Sequence, residues 1–127
     1  MENLSGWFLR LAVLYALIGM GLGFGMGIAH DFRFVSAHAH INLLGWVSMA
    51  LAGLFYRSIA VPGRLARIHF ALANLGMLLF VPAIAALAAG YEAALPLAVA
   101  GSLAVVGAMA LFAVVVFRAT GRRPAGT

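Results

Sequence analysis

The sequence predicts an all-α integral membrane protein, a bundle of four transmembrane helices with both termini in the cytoplasm. Three observations carry that prediction. The chain of 127 residues is 65% hydrophobic and 9% charged, with a mean hydropathy of +1.10, whereas a soluble domain carries about 25% charged residues. Four runs lack any charged side chain, at 11–29, 34–56, 68–91 and 93–117, each 19 residues or longer. Roughly 20 helical residues cross a 30 Å hydrocarbon core, and in lipid a segment of this kind satisfies its backbone only as a helix. Third, all eight basic residues are arginine. Arg10, Arg57, Arg64, Arg67, Arg118, Arg122 and Arg123 fall on one side of an up-and-down arrangement, against Arg33 alone on the other. Arginine excess marks the cytoplasmic side. The net charge of +5 is therefore read as topological, with the lipid bilayer as partner and no nucleic acid.

Each span is then justified in order. Helix one, about 7–28, contains the run GMGLGFGMG. On a helix Gly19, Gly23 and Gly27 form one small stripe, with Gly21 and Gly25 beside it. Such stripes let helices approach closely or leave room for a flat ligand, and packing is the plainer reading. The apolar stretch exceeds the 7–15 residues of a signal peptide core, so no cleavage at Ala37-His38-Ala39 is expected. Helix two, about 34–56, carries two histidines at its outer end. Helix three, about 66–89, places His69 and Asn74 toward the inner side, and Pro82 is expected to kink it. Helix four, about 95–117, has Ser102 as its one polar side chain and reads as scaffolding or lipid-facing. Residues 1–117 form a single domain, and 118–127 a basic cytoplasmic tail expected to be disordered.

Chemistry is concentrated in the histidines. Without cysteine, disulfides, thiolate metal sites and C-x-x-C-H haem attachment are excluded. His30, His38, His40 and His69 are the plausible metal ligands. His69 lies near the inner edge and His38 near the outer, about 20 Å apart across a 30 Å core, so no single ion binds both. His69 is expected to be a hydrogen-bonded imidazole at the inner interface. His38 and His40 are level, but at 100° per residue they point about 200° apart, so one helix cannot chelate one ion with both. Either one of them is a ligand, or each serves a different centre on opposite flanks. Asn42 and Gly45 continue the His38 face, and Ser36 and Leu44 the His40 face. The competing reading is a pair of interfacial histidines facing water, although ionisable residues within a membrane are functional candidates by default.

The segments SAHAHINLLGW and ARIHFALANLGMLLFVP resemble the second and third helices of haem-copper oxidase subunit I, the superfamily of cytochrome c oxidases and nitric oxide reductases. The glycine-rich first helix resembles that family's first helix, and the likeness is nearest to short, oxidase-like bacterial proteins. The resemblance implies a multi-pass protein of the bacterial inner (cytoplasmic) membrane. It implies that His38 is an axial ligand of haem b, while the later-helix histidines of the oxidase site are missing from this chain, so an oxidase activity is not expected. The family's twelve helices have pseudo-three-fold symmetry, and its tenth helix carries two histidines at i and i+2. Three copies of a four-helix chain would restore twelve helices, so a homotrimer is favoured, with a dimer as the alternative. In such a ring His38 of one protomer would face His40 of the next, giving a bis-histidine haem at each interface and electron transfer with a respiratory-chain redox partner. His30 and Arg33 are candidates for the haem propionates, because the arginine fork suits carboxylates, and Asn42 supports the His38 face. Other readings are a gas-sensing haem protein for nitric oxide or oxygen, copper bound by the histidine pair, and an assembly partner of a respiratory complex.

Overall fold

The computed structural model describes residues 2–121, and these are helical throughout apart from short connections. Four helices are long and apolar enough to cross a membrane. They are named α1 (Glu2–Ala29), α2 (Val35–Ser58), α3 (Gly63–Ala88) and α4 (Leu95–Thr120), with a short 3-10 turn at Glu92–Ala94 before α4.

The helices run longer than the charge-free stretches. α1 begins at Glu2 rather than near residue 7, α2 runs on to Ser58, α3 starts at Gly63, and α4 runs through Arg118 to Thr120. A helix does not stop where hydrocarbon stops, and an arginine at its end keeps the guanidinium in a polar layer while its stem lies along the helix. The first residues of the expected tail, 118–120, are thus helical; 122–127 lie outside the described residues. Pro82 sits inside α3, which continues past it to Ala88.

Contacts make each neighbouring pair antiparallel. Phe8 of α1 meets Tyr56 of α2 at one end, and Gly23 meets His38 toward the other. Between α2 and α3, Tyr56 pairs with His69 and His40 with Phe80. Between α3 and α4, His69 stacks on Phe112, and Gly76 and Gly101 let the backbones close. A Cβ on Gly101 would lie 2.5 Å from the Phe80 nitrogen. Dispersion across such close contacts, rather than apolar transfer, is what holds helices together in lipid.

The core gathers at the end that carries Arg57. Phe8, Ala12, Met49, Ala52, Tyr56, Ala66 and Val115 form one buried cluster drawn from all four helices. Elsewhere the outer faces are apolar, with Leu17, Phe24, Leu51, Leu78, Leu103 and Phe117 all more than half exposed. In water such a surface would aggregate; against lipid tails it is neutral. Midway, the Tyr15 hydroxyl donates to Asn74 Oδ1 at 2.9 Å, tying α1 to α3.

Candidate functional site

The N-terminal part of α2 is regular α-helix over Val35–His40 and then widens into a π-helix over Ile41–Ser48. The Ser48 hydroxyl follows that wider pitch, donating to the Leu43 carbonyl five residues back at 2.8 Å. π segments are rare and gather at functional sites. Both histidines lie in the regular turn that precedes it, so the expected divergence holds there. His38 faces α1 and His40 faces α3.

His38 is half-buried between α1 and α2. Its Nδ1–H donates to the Gly19 carbonyl at 2.7 Å. A carbonyl can only accept, so the proton on the neutral ring sits at Nδ1 and the lone pair at Nε2. Two glycines make room for this arrangement. A Cβ on Gly23 would lie 2.6 Å from His38 Cε1, and one on Gly19 would lie 2.6 Å from Asn42 Nδ2. Asn42 itself donates to the His38 carbonyl at 2.8 Å, one turn back on its own helix. The stripe read from the sequence as packing is therefore a cradle for two polar side chains. Its next member, Gly27, has open space where a side chain would stand.

His40 uses its own helix. Its Nδ1–H donates to the Ser36 carbonyl at 2.7 Å, and its ring meets Phe80 edge-on at 5.0 Å. The tautomer is the same as that of His38, with Nε2 again left as the acceptor. A metal-bound imidazole commonly donates its other nitrogen to a carbonyl in this way.

The remaining rim candidates have other partners. His30 closes α1 in the left-handed conformation, with φ of 50°, a geometry open to few residues other than glycine. Arg33 pairs with Asp31 at 2.8 Å, and its backbone N–H donates to the same carboxylate at 3.1 Å. Those contacts hold the Asp31 carboxyl below its ordinary range. The structure joins neither His30 nor Arg33 to His38 or His40 by any hydrogen bond. It does bring together His38, Asn42, Gly19 and Gly23.

His69 belongs to a different environment. It is 5% exposed, its Nδ1 lies 2.9 Å from the Tyr56 hydroxyl, and its ring stacks on Phe112 at 4.9 Å with Phe8 on another side. The Tyr56 partnership was not legible in advance, because an aromatic at a helix end reads first as interfacial. Both residues lie within two turns of the same loop, and that was the signal available.

Among the described residues no three His, Cys, Asp or Glu side chains converge on a point that could hold a metal ion. No family model, curated protein or solved structure matches the chain. The likeness to haem-copper oxidase subunit I thus rests on the quoted residues alone.

Proposed function

We propose that the protein is a membrane-embedded b-type haem protein that transfers electrons, with its haem shared between protomers through His38 and His40. One observation supports this above others. Both imidazoles give their Nδ1 proton to a carbonyl and keep an Nε2 lone pair, on opposite flanks of α2. A copper ion takes all its donors from protein or solvent, and among the described residues no group of three His, Cys, Asp or Glu side chains converges on one point. Haem brings four nitrogens of its own and asks the protein for one or two. The residues present therefore fit haem better than copper.

The opposite facing of the two rings makes a shared site natural. In a closed ring of identical chains, each contact joins two different faces, here the His38 flank of one protomer and the His40 flank of the next. Three chains of four helices each is the arrangement that the oxidase likeness favours. Open space at Gly27, next to the cradle of His38, leaves room for a flat ligand. When bound, bis-histidine haem would supply one-electron redox chemistry, with its potential set by ligand identity and burial. His38 would be held in register by Gly19 and by the Asn42 bond to its own turn. The four apolar helices would lie across a bacterial inner membrane with both termini, and the loop that carries Arg57, in the cytoplasm.

The test is the reduced-minus-oxidised visible spectrum of protein purified from haem-replete membranes. A Soret band with sharp α and β bands on reduction is expected from six-coordinate, bis-histidine iron. A five-coordinate spectrum that shifts with carbon monoxide would replace electron transfer with gas sensing through one histidine. No Soret band would overturn both and leave an assembly role.

A further inference from the structure

A small cavity lies between α2, α3 and α4, beside the buried end of the bundle. Its volume is about 30 Å³, and its walls include Ser48, His69, Ala73, Met77, Val105 and Met109. These walls are apolar except for two groups, the hydroxyl of Ser48 and the imidazole of His69.

His69 Nδ1 pairs with Tyr56, and among the described residues no hydrogen bond is made at its Nε2. Yet among the described residues no sealed side-chain nitrogen or oxygen lacks a hydrogen bond. Nε2 therefore keeps some accessible surface, and His69 lines this cavity. The direction of the Tyr56 bond sets what Nε2 offers. A phenol is the stronger acid and an imidazole nitrogen the stronger base, so Tyr56 donates to Nδ1 and the ring proton sits at Nε2. The ring is 5% exposed, and a buried N–H without an acceptor costs about 1–3 kcal/mol. Ser48 completes the chemistry. Its proton goes to the Leu43 carbonyl at 2.8 Å, leaving its oxygen free to accept.

We infer that this cavity is a binding site for one water molecule, held by donation from His69 Nε2–H and by its own donation to Ser48 Oγ. A water needs about 10–15 Å³ of such space and two or more polar partners; the cavity's 30 Å³ is enough, Ser48 and His69 are the polar side chains on its wall, and a porphyrin or quinone ring is far too large for it. The bound water would link α3 to α2 and give the π segment's Ser48 a partner across the cavity. It also makes His69 a donor at Nε2, the wrong polarity for a metal ligand.

Two measurements on the protein in lipid nanodiscs test the site. The first is a density map that resolves ordered water, recorded with and without xenon pressure. The second is the side-chain ¹⁵N spectrum of the histidines. Expected are a water within hydrogen-bond distance of His69 Nε2, no xenon in the cavity, and an Nε2–H tautomer for His69. Ala73→Val, which fills the cavity without touching the His69–Tyr56 bond, should remove the water and leave the tautomer in place. A wild-type cavity that takes up xenon and shows no water would overturn the assignment, as would a His69 ring protonated at Nδ1 alone.

Discussion

The two ends of the α2–α3 pair both present imidazoles, and the chain treats them in opposite ways. At the N-terminal end of α2, His38 and His40 are half-buried, donate from Nδ1 to carbonyl oxygens and keep a lone pair at Nε2. Near the loop between α2 and α3, His69 of α3 is almost fully enclosed by Phe8, Tyr56 and Phe112, and its Nδ1 pairs with the Tyr56 hydroxyl at 2.9 Å. The residue type is the same throughout, but a carbonyl partner leaves an acceptor at Nε2, whereas a phenol that donates its proton leaves a donor there. Whether a histidine is available to a metal is thus set by the atom on its other nitrogen. The His69 end is enclosed by aromatic rings, and the His38 and His40 end leaves both Nε2 lone pairs unused by its carbonyl bonds.

Removing side chains should separate the two ends most clearly. His69→Ala empties a stacked, enclosed site and strips Tyr56 of its partner. A loss of about 3–5 kcal/mol is expected, as for other large buried truncations, read as a fall in the thermal midpoint of detergent-solubilised protein. His38→Ala removes one hydrogen bond from a half-buried ring and should cost about 1 kcal/mol, while removing any haem signal. Equal losses at the two positions would break the contrast.

Gly23→Ala comes next in size. Its new Cβ would stand 2.6 Å from His38 Cε1, so the ring must leave the Gly19 carbonyl or α1 must move. Overpacking of this kind costs about 1–3 kcal/mol. The Nδ1–H signature of His38 should weaken in the ¹⁵N spectrum while that of His69 stays. Tyr56→Phe is the reciprocal change, expected to cost about 1–3 kcal/mol by leaving Nδ1 unpaired. It should free the His69 tautomer and leave His38 and His40 unaltered.

The smallest effect concerns the loop between α1 and α2. Arg33 holds the Asp31 carboxyl below its ordinary range. The pair's contribution is therefore present above the ordinary carboxyl range and is lost as pH falls through the lowered value. Asp31→Asn should flatten that acid limb slightly in a pH series of thermal midpoints and leave behaviour at neutral pH nearly unchanged, because both groups face solvent.

Much of this was legible in the sequence, for definite reasons. The four long apolar helices follow from the charge-free runs, because a run of that length and composition pairs its own backbone groups as a helix. The divergence of His38 and His40 follows from helical pitch alone. What escaped is local. Helix ends overran the apolar runs because Arg57, Arg64 and Arg118 tolerate a helical backbone in the polar layer. The π segment at Ile41–Ser48 changes pitch without changing composition. The function of Gly19 and Gly23 as a cradle depended on knowing which face of α1 meets Asn42 and His38. The Tyr56–His69 bond needed the α2–α3 pairing register, which no periodicity encodes.

Native mass spectrometry of protein from haem-replete membranes tests the central claim most directly, by counting chains and haem in one particle. The account predicts three chains with three haems in the wild type, and loss of the haem in His38→Ala but not in a folded His69 variant such as His69→Gln. A haem-free wild type, or haem that survives His38→Ala and is lost from His69→Gln, would contradict it.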